Sequence, residues 1–211
     1  MPTASNAASY DLALGSARSD DRRYFETLFE LDTRLARAVA EASEPIITQM
    51  KLAWWRDRFA EDPSQWPVGE PLLAQLARWG SRANELGDLV DGWEVLALGE
   101  ALTAADISAH ATGRAAAWCA LAKTIIPGVT PSELEDLTSA ARTHAFADLK
   151  ERGVDMGAME LPEAASIRFS RRLRPFAVLA GLARRALIAE RPMLDGLPAL
   201  VLALRLGLVG R

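Results

Sequence analysis

Apolar residues recur at intervals of three and four positions along most of this sequence, which is the spacing of one face of an α-helix. The clearest run follows Asp20 and Asp21 and comprises Tyr24, Phe25, Leu28, Phe29, Leu31, Leu35 and Val39. The two aspartates favour a helix start, because carboxylates accept hydrogen bonds from the free amides of a first turn. The pattern therefore predicts an amphipathic helix that runs from this pair through Val39.

Proline and glycine residues mark where the next elements begin and end. Pro45 favours the first turn of a second helix, because the first helical amide needs no acceptor. This helix would carry Ile46, Met50, Trp54 and Phe59. The stretch 61–69 contains two prolines and a glycine, and it predicts a loop.

Capping residues predict the elements of the second half. Thr103, with Asp106 three positions later, resembles a capping box, and Pro127-Gly128 ends the helix that this box would start. β-Branched residues are sparse, whereas Ala, Leu, Glu and Arg favour helix. The fold class is therefore predicted to be all-α. Further helices are expected over 72–86, 88–97, 132–149, 175–189 and 198–208.

Composition places the chain among globular proteins. It has 211 residues, of which 50% are hydrophobic and 25% charged, values that exclude global disorder. This length favours a single helical domain over 21–211, preceded by a flexible leader over 1–20 that lacks the pattern of a secretory signal. The net charge of -4 argues against nucleic acid as a partner. The single cysteine, Cys119, permits no internal disulfide.

The most distinctive string runs from Glu44 to Asp57 and reads EPIITQMKLAWWRD. On a helix, Met50 and Trp54 share a face while Trp55 and Arg56 point elsewhere, so a packing helix would account for the string. The string also resembles the signature of the squalene/phytoene synthase family, in which Glu-Pro precedes Gln-(Ile/Met)-(Arg/Lys)-Leu-x-Trp-Trp-Arg-Asp. The resemblance extends more weakly over residues 24–162. Its signature residues here are Trp54, Trp55, Arg56 and Asp57.

The resemblance implies a helical bundle of the isoprenoid-synthase type and a reaction on prenyl diphosphates. Such chemistry needs Mg²⁺, which binds carboxylates presented by two facing helices. The family's first acidic motif would fall on 36–40, which holds no carboxylate. The second would fall within 143–153, where only Asp148 and Glu151 remain. We therefore expect no prenyl-synthase catalysis and no cofactor.

A stripe of acidic residues offers a different candidate for metal or substrate binding. Its members recur every three positions: Glu85, Asp88, Asp91 and Glu94. On a helix they would form a negative edge, with Asp91 as the candidate of interest. The alternatives are a metal site and an ordinary solvated surface.

Arginines crowd the region 168–191, whose only acidic residue is Glu190. Guanidinium groups suit phosphate oxygens, so Arg171 and Arg172 are candidates for binding a diphosphate or anionic lipid head groups. The alternative is a solvated helix face. The members of this cluster are Arg168, Arg171, Arg172, Arg174, Arg184, Arg185 and Arg191.

The apolar run 197–209 is interrupted by Arg205 and is shorter than the roughly 20 residues of a membrane span. The alternatives are a core helix and a segment that lies on a membrane or a partner. His110 and His144 have no nucleophile motif near them, and we assign them no role.

Three functions remain open at this point. The first is a non-catalytic squalene/phytoene synthase-like protein that binds an isoprenoid or another lipid, or serves in assembly. The assembly role is implied by the family resemblance, because degenerate members of the family include a mitochondrial respiratory complex I assembly factor. The second is an active Mg²⁺-dependent prenyltransferase that uses Asp91, Asp148, Glu151 and the arginine-rich region. The third is a helical module whose C-terminal segment docks a protein partner. We expect a cytoplasmic location, with a peripheral membrane position as the variant.

Overall fold

The computed structural model describes residues 4–41, 44–97, 102–156 and 169–210, and within these ranges it contains helices and no strand. The predicted all-α class is confirmed. The α-helices are α1 (Ala4–Leu14), α2 (Ser19–Ala40), α3 (Pro45–Ala60), α4 (Pro71–Leu76), α5 (Gly87–Glu94), α6 (Ala104–Ile125), α7 (Pro131–Glu151), α8 (Arg174–Ala189) and α9 (Gly196–Val209). Stretches of 3₁₀ helix occupy Pro63–Gln65, Ala77–Leu86, Val95–Ala97 and Arg171–Leu173.

α3 begins at Pro45 as predicted. α2 contains the predicted apolar run but begins at Ser19, so that Asp20 and Asp21 lie within its first turn and do not cap it. α2 removes one apolar face from water, and this burial stabilises the helix in place. α3 buries a different face from the one that its apolar spacing indicated, because Ile46, Met50 and Trp54 are exposed and only Phe59 of the predicted set is buried. Trp55 is buried, whereas Trp54 is 38% exposed. The buried face of α3 consists of Thr48, Leu52, Trp55 and Phe59.

Side-chain caps start the two long helices α6 and α7. The Thr103 hydroxyl accepts a hydrogen bond from the Asp106 amide at 3.3 Å. The Asp106 carboxylate accepts one from the Thr103 amide at 2.9 Å, which confirms the capping box. α7 begins at Pro131, one residue before the predicted start at 132, and the Thr130 hydroxyl caps it by accepting a hydrogen bond from the Glu133 amide.

The stretch 72–86 does not form the single helix that its apolar spacing predicted. α4 ends at Leu76, and the chain continues as 3₁₀ helix with a break at Gly80. Gly80 has φ 59° and ψ -142°, a conformation that only glycine adopts readily. Buried residues nevertheless continue across the break, so the periodicity alone could not reveal it. Gly87, which lies between the predicted helices 72–86 and 88–97, begins α5.

Helix α1 lies within the range 1–20 that the sequence assigned to a flexible leader. Tyr10, Ala13 and Leu14 are buried, and α1 packs against α8 and α2. The structure differs from the sequence prediction here because these apolar side chains leave water only when the segment is helical and packed. α1 also supplies Tyr10 to the centre of the molecule.

Helix α6 packs against both α5 and α7, and α8 packs against α7 and α9. Two glycines allow α5 and α6 to approach closely: a Cβ on Gly113 would lie 2.2 Å from the Asp88 carbonyl oxygen and 3.1 Å from the Gly92 Cα. The buried apolar side chains of the described residues form one continuous cluster. The charged residues of the candidate site are embedded in this cluster.

Helix α9 has one buried face and one exposed face. Ala199, Ala203 and Leu206 are buried, so the segment is partly a core helix, as one of the two alternatives predicted. Across the parts of the chain that the structure describes, no helix has both the length and the apolar character needed to cross a bilayer.

Candidate functional site

A buried cation joins two carboxylates at the centre of the helical bundle. Arg114 lies on α6, Asp32 on α2 and Asp148 on α7. The Arg114 guanidinium lies 3.1 Å from Asp32 Oδ2 and 2.9 Å from Asp148 Oδ2. All three side chains are buried. We call Asp32, Arg114 and Asp148 the central charge cluster.

Neutral and charged donors complete the hydrogen bonding of Asp32 and Asp148. The Trp93 indole N–H donates to Asp32 Oδ1 at 2.9 Å, and the Tyr10 hydroxyl donates to Asp32 Oδ2. Arg152 Nε donates to Asp148 Oδ1 at 2.8 Å. The Arg114 and Arg152 guanidinium carbons also lie 5.3 and 5.1 Å from the centre of the Trp93 ring, within the range of a cation–π contact.

Electrostatics keep both carboxylates of the cluster ionised. Burial alone would raise the pKa of the Asp32 carboxyl, but the Arg114 charge and the Tyr10 hydrogen bond outweigh burial and lower it. Asp148 behaves in the same way: burial opposes ionisation, and the charges of Arg114 and Arg152 lower its pKa well below the usual range. Burial and the Asp32 carboxylate hold the pKa of Tyr10 well above its ordinary value. The cluster is therefore a fixed set of ion pairs at neutral pH.

Both histidines lie buried next to the cluster. His110 Nδ1 lies 3.0 Å from the Gly92 carbonyl oxygen, and His144 Nδ1 lies 3.5 Å from the Arg114 guanidinium. Burial, with the Arg114 charge as the next cause, lowers the pKa of His110 to about 4 and that of His144 to about 3. Both rings are therefore neutral near pH 7, and each Nε2 is buried with no hydrogen-bond partner among the residues that the structure describes.

The central charge cluster and the side chains bonded to it include residues that sequence reasoning missed. Asp148 was a candidate, but Asp32, Arg114, Tyr10 and Trp93 were not. Carboxylates on two facing helices are what a magnesium clamp requires, and here they face each other across an arginine. Within 4–41, 44–97, 102–156 and 169–210, no three His, Cys, Asp or Glu side chains are grouped so as to hold a metal ion.

Three of the four acidic residues in the stripe, Glu85, Asp91 and Glu94, form ion pairs. Arg56 of the signature string lies 2.7 Å from Asp91 Oδ1 and also contacts Glu94. Glu85 lies 2.8 Å from both Arg82 and Lys123. Asp91 and Glu94 therefore join α5 to α3, and Glu85 joins the 3₁₀ stretch before α5 to α6. These salt bridges are exposed or half-exposed, and each is of modest strength.

The other predicted site residues have separate partners. Glu151 accepts a hydrogen bond from the Met193 amide. Arg172 forms an ion pair with the buried Asp21 carboxylate at the start of α2. Arg171 is exposed. Asp91, Glu151 and Arg172 thus contact three different partners, while Asp148 lies in the central charge cluster. Arg168 lies outside the described residues.

Some residues of the signature string in α3 are buried and others are exposed. Trp55 stacks on Phe59 with ring centres 5.9 Å apart, and Trp54 meets Trp55 edge-on at 4.9 Å. Asp57 is exposed. Trp55 therefore packs in the core, Arg56 ties α3 to α5, and Trp54 is left at the surface.

A groove of about 470 Å³ lies between α2 and α3, a size typical of small-molecule sites. Ile47, Met50 and Trp54 give it an apolar wall. Lys51 adds a cation to its lining, and so does Arg37, whose Nε lies 3.8 Å from the Glu41 carboxylate. Arg34 also lines the groove and pairs with Glu30 and Glu70. We call this site the α2–α3 groove.

Comparison with protein-family models, with curated proteins and with solved structures finds no match to this chain. The squalene/phytoene synthase resemblance therefore rests on the residues of the signature string and its flanking helices.

Proposed function

We propose that this chain is a non-catalytic protein of squalene/phytoene synthase type that binds an isoprenoid or another lipid chain with an anionic head group. One observation carries this proposal: the Arg114 guanidinium of α6 lies between the carboxylates of Asp32 on α2 and Asp148 on α7. The cation that these carboxylates neutralise belongs to the protein itself.

The residues at the centre do not fit magnesium. A Mg²⁺ ion needs carboxylate oxygens that are free to enter its octahedral shell. The oxygens of Asp32 and Asp148 accept bonds from Arg114, Arg152, Trp93 and Tyr10. Breaking a buried ion pair by removing its partner costs about 3–5 kcal/mol. A metal ion bound here would have to break these ion pairs, and the surrounding described residues offer no further carboxylate to offset that free-energy cost.

The α2–α3 groove offers a place for a ligand outside the bundle centre. A prenyl or acyl chain would contact Ile47, Met50 and the exposed face of Trp54. Arg37 and Lys51 would attract the phosphate or carboxylate of its head group. An amphiphile with one apolar and one anionic end matches this lining, whereas a neutral polar ligand does not.

Two measurements on the purified chain test the proposal. Incubation with farnesyl diphosphate and Mg²⁺ is expected to release no pyrophosphate above the level seen with chelator. Farnesyl diphosphate is also expected to bind in the presence of chelator and to change the tryptophan fluorescence, since Trp54 lines the groove. Release that a chelator abolishes would instead establish the active prenyltransferase.

A matched pair of surface variants locates the binding. Met50→Glu places a charge in the α2–α3 groove, and we expect it to weaken farnesyl diphosphate binding at least about tenfold, or roughly 1.4 kcal/mol. Leu204→Glu, at a similarly exposed position of α9, should bind as the unmodified chain does. Equal binding by both variants would exclude the groove. A role in assembly stays a prediction of the family resemblance.

A further inference from the structure

Helix α9 exposes a row of large apolar side chains. Leu197, Leu204 and Leu208 are 76%, 62% and 73% exposed. With Leu200 and Val201 they recur every three or four residues and so lie on one face of the helix. We call these five residues the C-terminal apolar face. An exposed face of this kind is typical of a surface that meets another apolar phase or partner.

The opposite side of α9 fixes the helix on the bundle. Leu206 is buried over Gly181 of α8, where a Cβ on the glycine would lie 2.2 Å from the Leu206 side chain. Gly207 lies against Ser16, where its own Cβ would be 3.0 Å from the serine Cβ. α9 is therefore held to α8 and to the turn after α1, with the C-terminal apolar face directed outward.

Positive charge is concentrated in the same part of the chain. Residues 169–210 contain seven arginines and two acidic residues, although the whole chain has a net charge of -4. Arg205 is exposed beside Leu204 and Leu208 on α9. On α8, Arg184 is exposed one turn before Ile188, itself 70% exposed. Exposed guanidinium and apolar groups thus occur together on the packed pair α8 and α9.

We propose that α9 docks on an anionic lipid surface, lying along the membrane with the C-terminal apolar face among the acyl chains and Arg205 at the phosphates. A helix with an apolar face and basic residues beside it is the form that binds in the interfacial plane. The 14 residues of α9 span about 21 Å, less than the roughly 30 Å of a bilayer core. α9 therefore lies on the membrane and does not cross it.

Charge also argues against a second copy of the chain as the occupant. Two copies that met through the C-terminal apolar face would bring their Arg205 side chains into the same interface, where like charges repel. An anionic membrane instead supplies the opposite charge over a wide area. Docking through α9 goes beyond the proposed function and would stand even if the α2–α3 groove bound no ligand.

Vesicle sedimentation with the full chain tests this docking. The chain is expected to sediment with vesicles of phosphatidylcholine and phosphatidylglycerol, to sediment less with phosphatidylcholine alone, and to be released by added salt. Leu204→Glu should lower the bound fraction at least about tenfold, because the glutamate would have to enter the apolar phase. Arg205→Gln should weaken binding to the mixed vesicles several-fold and reduce its salt dependence.

Controls separate docking from misfolding and from other occupants. Val68→Glu carries the same new charge at an exposed position outside both α9 and the α2–α3 groove, and it should sediment as the unmodified chain does. Circular dichroism should show equal helix content in all variants. Failure of the unmodified chain to bind mixed vesicles, or equal binding by Leu204→Glu, would overturn the proposal. A dimer in solution that Leu204→Glu converts to monomer would also overturn it, in favour of self-association.

Discussion

The residues of the central charge cluster occupy positions that the helical spacing assigns to the core. Asp32 lies on the α2 face of Leu28 and Leu35, and Arg114 lies on the α6 face of Trp118. A charged residue at a core position of a helix can be recognised from the sequence alone, and it indicates a buried ion pair or hydrogen bond. It does not reveal the partner, because Asp32 and Arg114 are 82 positions apart. Only the fold shows that these charges meet.

Acid should destabilise the protein through its two buried histidines. The unfolded chain binds protons near the ordinary histidine pKa of 6.5, whereas the folded chain does so only near pH 4 at His110 and pH 3 at His144. The unfolded state therefore gains protons first, and stability falls as the pH drops below about 6.5. At pH 5 each histidine should cost about 2 kcal/mol relative to pH 7.

Urea unfolding at pH 7 and pH 5 measures this effect. The chain has only two histidines, so few other side chains titrate in this interval. His144→Phe should remove about half of the difference between the two pH values. A free energy of unfolding that is equal at pH 5 and pH 7 would contradict the prediction.

At the scale of elements, the sequence was informative wherever a local rule decides the structure. The Thr103–Asp106 capping box and Pro45 predicted the starts of α6 and α3, because each depends on residues within one turn. The break at Gly80 and the close approach at Gly113 were not predicted. Gly80 leaves the apolar spacing intact, and Gly113 is informative only once α5 is known to cross it.

Substitution at the α5–α6 crossing should destabilise the protein. Gly113→Ala would place a methyl group 2.2 Å from the Asp88 carbonyl oxygen, and backbone cannot yield as a flexible side chain can. We expect a loss of about 1–3 kcal/mol or more in the free energy of unfolding, measured by denaturant titration. Gly87→Ala is the matched control, because its nearest neighbour would be 3.9 Å away. Equal stabilities of the two variants would contradict the close approach.

At the scale of the whole molecule, composition and periodicity were sufficient for the all-α class. They were not sufficient to predict that α1, within the first 20 residues, is a packed helix. Tyr10, Ala13 and Leu14 form too short an apolar pattern to indicate a packed helix, and their burial depends on α8, which lies more than 150 residues later. Long-range packing of this kind leaves little trace in local sequence.

Helix α1 should therefore be required for stability. A chain that begins at residue 16 would lose three buried apolar side chains, and we expect a loss of more than about 3 kcal/mol, seen as a lower midpoint in thermal unfolding. Tyr10→Phe keeps the ring that stacks on Phe29 at 4.2 Å but removes the hydroxyl bonded to Asp32. It should cost only about 1–2 kcal/mol. An unchanged midpoint in the shortened chain would show that α1 is dispensable.

Folding intermediates are constrained by the way Arg114 is neutralised. Its two carboxylates come from α2 and α7, so a partly assembled bundle without either helix would bury an uncompensated charge. Such a species is unfavourable by several kcal/mol. Helices α2, α6 and α7 should therefore assemble in a single concerted step. States in which only one of the two carboxylates contacts Arg114 should be little populated.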